Sequence, residues 1–392
     1  MNKSISNLNG LKVFMSIHIA LAHTFPTIHR GDVSRLIFEY ASISTSMFII
    51  LSGFFLACFY HEKEVRVIPF VKKRIQKLYP FHVFMVLFSA IIMLEAVFRH
   101  DYKVQMFSNF IFLDGWEYLI AIISQILLID SLNPFFPGIN VPAWTLSTLF
   151  FCYSSFPFFT KKIKNLSLGC LLSLLFALVL IVNTISFTAF NFGVNDEYLD
   201  SNVELYAWPN MIGGLFHRFP IMRLPEFLLG IILFFVFKKM EGKNNFPILF
   251  LLLGVSYLVV VLYLAYPIDY IIYHNGIFLP FELLIIYSFC SFKEINFFSL
   301  SLITKIGVAS FIIYLFHMPW FIFMSKLAKG LVWGIAKFFY GSEILDPISY
   351  AKEMINNSLL FFILYFVSMI MLSVYIEIKW RPYLKGVWVK KS

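Results

Sequence analysis

The segment GLKVFMSIHIALAHTF, from Gly10 to Phe25, is apolar enough to enter a membrane, yet it carries Lys12 and His23. Ionisable side chains are expensive in such a segment, so they indicate function by default. The two residues are 11 positions apart. On a helix this places both side chains on nearly the same face, about 16 Å apart along the axis. A structural interpretation stays open, in which the Lys12 stem extends to the interface and His23 binds a backbone group.

The rest of the chain continues this apolar character. Of its 392 residues, 60% are hydrophobic and 14% are charged, whereas soluble domains average about 25% charged residues. Repeated apolar runs of about 20 residues predict an all-α protein with many membrane spans. No polar stretch is long enough for a soluble domain, so residues 1–392 are interpreted as one integral-membrane domain. The net charge of +9 arises beside the apolar runs and does not indicate nucleic-acid binding.

The distribution of basic residues orients the predicted helices. The connection 61–78 holds six of them and is therefore predicted to be cytoplasmic. Later basic clusters fall on the same side only if residues 116–129 form a re-entrant or interfacial helix and not a span. The sequence then predicts about ten transmembrane helices with both termini in the cytoplasm. The first segment is interpreted as an uncleaved anchor, although Ala20-Leu21-Ala22 has the small-x-small pattern of a signal-peptide cleavage site.

Seven short motifs follow one another along the chain. They are Gly10-Leu11-Lys12 with His23; Met47 to Phe54 (MFIILSGF); Phe70 to Pro80 (FVKKRIQKLYP); Trp144 to Ser147 with Tyr153 and Pro157; Arg223 to Gly230 (RLPEFLLG); Ser310 to Pro319 (SFIIYLFHMP); and Tyr375 to Glu377 with Pro382. In this order they resemble acyltransferase family 3, the bacterial integral-membrane O-acyltransferases that modify surface glycans. The resemblance extends over nearly the whole chain.

The resemblance implies a donor and an acceptor on opposite sides of a bacterial cytoplasmic (inner) membrane. The donor is a cytoplasmic acyl-coenzyme A, usually acetyl-CoA. The acceptor is a hydroxyl of a surface polysaccharide or lipid-linked sugar at the outer face, where this topology places His23. Membrane lipids are the other expected partners. No permanently bound cofactor is expected, and no His, Cys or Asp spacing resembles a metal site.

Four residues take the family's central positions. The family's first-span Arg-x10-His pair maps onto Lys12 and His23, and its cytoplasmic Arg-x-x-Arg maps onto Arg74 and Lys77. Lys at 12 and 77 keeps the charge but loses the bidentate geometry of Arg. The family's frequent Glu, five residues after the motif Trp, is Leu149 here.

Acyl transfer to an alcohol requires a base and a means of holding the donor. His23 is the predicted base, because imidazole titrates near neutrality; an acyl-imidazole route is not separable from it by sequence. Lys12, Arg74 and Lys77 are predicted to bind the coenzyme A phosphates. For Arg74 and Lys77 a purely topological role stays open, since cytoplasmic connections are basic in general.

Five further residues are supporting candidates with structural alternatives. Ser52 precedes a packing glycine and is a direct participant or a packing hydroxyl. Trp144 is an interface anchor or a sugar platform. Arg223 and Glu226 are three residues apart and are interpreted first as an ion pair on one helix face. His317 is interpreted first as a structural partner of a neighbouring helix.

These observations favour a membrane-embedded O-acyltransferase, and two alternatives stay open. A transporter or flippase of a sugar or lipid precursor would use a similar bundle. Transporters typically have a pair of broken helices, one in each half of the chain. Here only residues 116–129 suggest a broken helix, and the other half has no counterpart. A non-catalytic relative of the family is the other alternative, because Leu149 replaces an acid.

Overall fold

The structure is a computed structural model of the chain, which describes residues 2–24, 40–98, 103–106, 109–112, 115–133, 138–192, 215–240, 246–265, 272, 275–293, 295–340 and 358–380. Its longer helices are α1 (Asn2–Thr24), α2 (Ala41–Tyr60), α3 (Val67–Phe98), α4 (Gly115–Ile126), α5 (Trp144–Ile163), α6 (Leu168–Asn191), α7 (Pro220–Met240), α8 (Pro247–Ala265), α9 (Leu279–Ser291), α10 (Ser301–Tyr340) and α11 (Leu359–Tyr375).

Shorter elements join these helices. Among the described residues, β1 (Lys103–Met106) and β2 (Asn109–Phe112) form an antiparallel hairpin between α3 and α4. Short helical segments are Asp130–Leu132, Val141–Ala143, Asn296–Ser299 and Ile376–Trp380.

Seven helices in the described residues are long and apolar enough to cross a membrane, judged by length and composition. They are α2, α3, α6, α7 with the residues before it, α8, α10 and α11. The helices α1, α5 and α9 pack among them. The prediction of a helical integral membrane protein is confirmed at this level, whereas the count of about ten spans and the cytoplasmic termini remain predictions.

The burial of each span separates a centre from a periphery. The buried share of the most apolar stretch is 72% in α10 and 67% in both α2 and α7. It is only 11% in α6 and 6% in α8. The outer helices therefore expose apolar side chains, which is stable in lipid but not in water. The centre of the bundle is built from α1, α2, α7 and α10. His23, His317, Arg223 and Glu226, described below, lie on these helices.

Two glycines allow α2 and α7 to pack against each other. A Cβ atom at Gly53 would collide with the Phe227 carbonyl oxygen, and one at Gly230 would collide with the Ile50 carbonyl oxygen. Small residues at a helix crossing allow the two backbones to approach, which is how apolar helices gain dispersion energy in a membrane. The motif glycines thus set the distance between two central helices.

One helix begins earlier than the sequence predicts, whereas the helix near 116–129 is short, as predicted for a segment that does not span. The helix α3 begins at Val67, so most of the basic connection predicted at 61–78 is the first part of a helix. This is possible because Pro69 lies near the helix start, where a missing N–H costs little. The helix α4 has 12 residues, about 18 Å, which is too short to cross a bilayer core.

Candidate active site

His23 and His317, the two histidines named as site candidates, lie in contact. His23 is at the end of α1 and His317 is in the middle of α10, and the two helices run side by side. The Nδ1 atom of His23 lies 3.0 Å from Nε2 of His317. The rings are stacked, with centroids 5.1 Å apart and planes at 17°. His317 is fully buried and His23 is partly exposed, so His23 is the member that a substrate can reach.

The hydrogen bonds define which ring nitrogens carry protons. His317 Nδ1 lies 2.7 Å from the Tyr314 carbonyl oxygen, and a carbonyl can only accept, so this nitrogen is the donor. In a neutral ring the Nε2 of His317 is then an acceptor, and Nδ1 of His23 must donate to it. Neutral His23 therefore has its lone pair on Nε2, and that nitrogen is the one able to take a proton.

A tyrosine from α11 supports the segment of α10 that carries His317. The buried Tyr365 hydroxyl donates to the His317 carbonyl oxygen at 3.1 Å. The Tyr365 ring also packs edge-on against Phe321, with centroids 5.2 Å apart. His317 is thus restrained through its ring and through its backbone.

A second buried group contains the predicted ion pair. Arg223 donates to Glu226 Oε1 at 2.6 Å, and the two side chains are 2% and 3% exposed. Ser46 of α2 donates to Glu282 Oε2 of α9 at 2.5 Å. Glu226 and Glu282 interact electrostatically, so the two carboxylates lie close together. Buried charges are retained only when paired and hydrogen-bonded, and this group joins α2, α7 and α9.

Trp144 lies between a cation and an imidazole. The Arg223 guanidinium is 5.7 Å from the indole centroid, and the His217 ring is 4.9 Å from it. Arg223 Nε also donates to the His217 carbonyl oxygen at 2.8 Å. Trp144 is only 4% exposed, so protein encloses its indole. Its roles as an interface anchor or as a sugar platform remain predictions.

Tyr314 connects the two buried groups. Its carbonyl oxygen accepts from His317, while its hydroxyl is hydrogen-bonded to Thr145 and interacts electrostatically with Arg223. The histidine pair and the Arg223 group therefore form one continuous polar region. It is assembled where the C-terminal end of α1 and the middle of α10 meet the N-terminal halves of α2, α5, α7, α9 and α11.

The predicted donor-binding residues lie at another level of the bundle. Lys12 Nζ lies 5.1 Å from the Phe55 ring centroid and interacts electrostatically with Lys77 and Glu377. Helix geometry separates this level from His23 by about 16 Å. The two lysine charges repel each other, and the Glu377 carboxylate offsets part of that repulsion. A bound anion would offset more of it.

Arg74 and Ser52 belong to the same region. The Arg74 guanidinium stacks on Tyr60 and Phe70, at 5.2 and 5.3 Å from the ring centroids. Tyr153 interacts with Arg74 and is hydrogen-bonded to Ser52. Ser52 Oγ also donates to the Phe48 carbonyl oxygen at 2.8 Å, so both of its sequence interpretations remain possible. The structure thus brings Lys12 towards Lys77, and Arg74 towards Ser52.

A buried aspartate lies beside the polar region, outside the spanning helices. Gln125 Nε2 donates to Asp130 Oδ2 at 3.3 Å, and Asp130 interacts electrostatically with Arg218. Burial raises the pKa of Asp130 to about 6, and the Gln125 hydrogen bond and the Arg218 charge offset only part of that shift. Asp130 is therefore an acid whose charge changes near physiological pH.

Several residues of this region were not identified from the sequence. They are Ser46, Asp130, Asn140, His217, Glu282, Tyr314 and Tyr365. A signal existed for Glu282, since a carboxylate in an apolar helix indicates function by default. Leu149, at the position of the family's acid, lies in the apolar core with Phe227. The buried acids described here come from α7, from α9 and from the segment between α4 and α5.

Comparison with known proteins identifies a family and a relative of this chain. The family model described as "Acyltransferase domain" matches residues 5–378. The protein named Acyltransferase MdmB, from Streptomyces mycarofaciens, is 25% identical over 237 residues. That match covers 58% of this chain and 56% of MdmB, so the chain spans about half the length of that relative. No solved structure matches this chain.

Proposed function

This chain belongs to the acyltransferase domain family, and from that premise we propose that it is a membrane-embedded O-acyltransferase. The proposed donor is cytoplasmic acetyl-CoA or another acyl-CoA. The proposed acceptor is a hydroxyl of a surface polysaccharide or lipid-linked sugar at the outer face of the bacterial inner membrane. The observation that carries the proposal is the His23–His317 pair, whose hydrogen bonds leave a proton-accepting nitrogen on a partly exposed imidazole.

The donor would bind with its phosphates among Lys12, Arg74 and Lys77. Charged hydrogen bonds to phosphate are the strong ones, and lysine supplies them as point charges. The extended pantetheine arm of the coenzyme would run along α1 towards His23 and carry the thioester to the histidine level. Binding energy from the distant phosphates then orients the reacting carbonyl, as catalysis by positioning requires.

The reaction proceeds by addition and elimination. His23 Nε2 removes the proton of the acceptor hydroxyl while the oxygen attacks the thioester carbonyl carbon. The C–O bond forms, and the tetrahedral intermediate then expels the coenzyme A thiolate as the C–S bond breaks. The protonated His23 returns the same proton to the thiolate, so the products are an ester and a thiol. His317 stabilises the positive charge on His23 by accepting its Nδ1–H.

The test measures acyl mass on the acceptor. Cell-surface glycans are isolated from cells that contain the wild type, His23→Ala or His18→Ala at equal membrane levels, and their masses are compared. His18 is the matched control, because it lies on the same helix and bonds to Ser44 at 2.8 Å. An acetyl-sized mass that is lost only with His23→Ala supports the proposal.

Two other results would contradict it. An acyl group that persists in His23→Ala removes His23 as the base. A wild type that adds no mass to glycan or lipid-linked sugar, with acyl-CoA supplied, removes the proposed acceptor. In that case movement of the sugar precursor across the membrane is the next activity to assay.

A further inference from the structure

Pro319 lies two residues after His317 and interrupts the hydrogen bonds of α10. It is an internal residue of that helix. Proline has no N–H, so it cannot donate to the carbonyl oxygen four residues earlier, which is that of Leu315. An unpaired buried carbonyl costs free energy comparable to a lost hydrogen bond. The turn of α10 that carries the candidate active-site histidine therefore needs a donor from elsewhere.

Asn140 supplies that donor. Its Nδ2 atom donates to the Leu315 carbonyl oxygen at 3.1 Å, across 175 residues of sequence. Asn140 is 1% exposed. Its Oδ1 has no hydrogen-bond partner among the described residues. If the amide were turned over, Oδ1 would face the Leu315 carbonyl oxygen, and two acceptors cannot form a hydrogen bond. The side chain is thus held in this buried place by the bond to Leu315.

Asn140 is itself fixed by Gln125. The Asn140 backbone N–H donates to Gln125 Oε1 at 3.0 Å, and Gln125 Nε2 donates to the Asn140 carbonyl oxygen at 2.7 Å. The Gln125 carbonyl oxygen accepts from His82 of α3 at 2.8 Å. Gly138 packs so closely on the Gln125 side chain that a Cβ atom there would collide with it. This chain of hydrogen bonds runs from α3 through the end of α4 to α10.

We propose that Asn140 is a positioning residue for the His23–His317 pair, because it replaces the hydrogen bond that Pro319 removes from the turn carrying His317. The effect on catalysis rests on the proposed acyl transfer. The replacement of the missing Pro319 N–H by Asn140 does not depend on that proposal. Asn140 does not touch a reacting atom. It acts on His23 through the orientation of His317.

The test is a rescue experiment on the full-length protein in lipid nanodiscs. The variants are Asn140→Leu, which keeps the size and removes the donor, Pro319→Ala, which restores the N–H of residue 319, and the double variant. Asn140→Ala is a second way to remove the donor if the leucine variant does not fold, since alanine has no side-chain N–H. Readouts are deuterium uptake of peptides covering residues 312–324, and kcat and KM for acyl transfer.

We expect Asn140→Leu to lose protection from deuterium uptake and to lose activity, and we expect the double variant to recover both. Asn140→Leu should raise deuterium uptake in that peptide and lower kcat about tenfold, the size of one hydrogen bond, with KM within about twofold. Pro319→Ala should bring both readouts of Asn140→Leu to within about threefold of the wild type, because the new N–H donates to Leu315. Equal losses in both backgrounds would overturn the proposal.

Two control variants separate positioning from general stability. Asn7 is another buried asparagine that binds backbone groups, with Nδ2 3.1 Å from the Lys293 carbonyl oxygen and Oδ1 3.0 Å from the Ile295 nitrogen. Asn7→Leu should not be rescued by Pro319→Ala. Pro157→Ala, within α5, should not rescue Asn140→Leu. Rescue in either control would overturn the assignment.

The two readouts also separate this inference from the proposed function. If the wild type transfers no acyl group, the proposed function fails, while deuterium uptake still shows whether Pro319→Ala compensates for Asn140→Leu. If uptake shows no compensation, the role of Asn140 is refuted whatever the activity. If uptake shows compensation but kcat is unchanged in Asn140→Leu, the positioning role is refuted.

Discussion

The Nδ1 atom of His23 lies 3.0 Å from the Nε2 atom of His317, and this contact joins the first helix to a helix 294 residues later. The other ring nitrogen of His317 is occupied by the Tyr314 carbonyl oxygen. The pair is therefore directional: protons on both Nδ1 atoms leave the lone pair of neutral His23 on Nε2. A proton acceptor oriented by a second hydrogen-bonding group is the arrangement that general-base catalysis uses.

Replacement of His317 should lower kcat more than it changes KM. His317→Ala removes the acceptor for His23 Nδ1–H, so the ring can adopt the other tautomer or rotate, and kcat should fall about 100-fold. His317→Gln offers a side-chain oxygen as acceptor and should recover part of the rate. Steady-state acyl-transfer kinetics with purified protein give both constants. Equal activity of His317→Ala and the wild type would exclude an orienting role.

Replacement of Lys77 should weaken binding of the donor. Lys77→Met removes a charge near Lys12, and KM for acyl-CoA should rise about tenfold or more, the effect of one charged hydrogen bond. Lys77→Arg should keep the affinity. The control is Lys238→Met, whose ammonium pairs with exposed Glu62 at 3.4 Å. If Lys77→Met and Lys238→Met have the same KM, Lys77 does not bind the donor, and its charge only helps to orient the helix in the membrane.

Glu226 and Glu282 should respond differently to the same change. Glu226→Gln breaks the buried pair with Arg223 and should lower the free energy of unfolding by about 3–5 kcal/mol. Glu282→Gln keeps an acceptor for the Ser46 hydroxyl and leaves the Arg223–Glu226 pair intact, so its loss should be smaller. Denaturation of both variants in mixed detergent micelles measures the difference. A larger loss for Glu282→Gln would show that Glu282 is the main partner of the arginine.

Alanine at Gly53 or Gly230 should destabilise the bundle. Each added methyl would collide with a backbone carbonyl of the facing helix, so α2 and α7 must separate, with an expected cost of about 1–3 kcal/mol. Gly330→Ala is the matched control, because no atom lies within 4 Å of its Cβ position in α10. That variant should be neutral or more stable, since alanine favours helix over glycine by about 1 kcal/mol. Thermal unfolding of the three variants tests this, and similar midpoints would contradict the close packing.

Asp130 should give the protein a pH-dependent stability. Its pKa is about 6 in the folded protein and about 3.9 when unfolded, so the folded state holds the proton more tightly. Stability should therefore fall as pH rises from about 4 to 6, by about 3 kcal/mol in total, and stay lower above pH 6. The difference in unfolding midpoint between Asp130→Asn and the wild type isolates this effect. A difference that does not vary between pH 4 and pH 8 would show that Asp130 does not titrate there.

The sequence determined the class of structure and the identity of the central helix. Apolar runs of membrane length do not depend on tertiary contacts, so the helical membrane fold could be predicted from composition alone. The 11-residue spacing of Lys12 and His23 likewise fixes their separation, because helix geometry is the same in every protein. Ser52-Gly53 and the pair Arg223 and Glu226 are also recognisable in the sequence, because they interrupt apolar runs.

Only the tertiary structure decided which of these residues meet. His23 and His317, Ser46 and Glu282, and Asn140 and Leu315 pair across 294, 236 and 175 residues, and no local pattern specifies such contacts. The sequence predicts His317 as a structural partner of a neighbouring helix, and in the structure its partner is His23, the predicted base. The ring nitrogen that can take a proton follows from these contacts, because a histidine tautomer is set by what its other nitrogen binds.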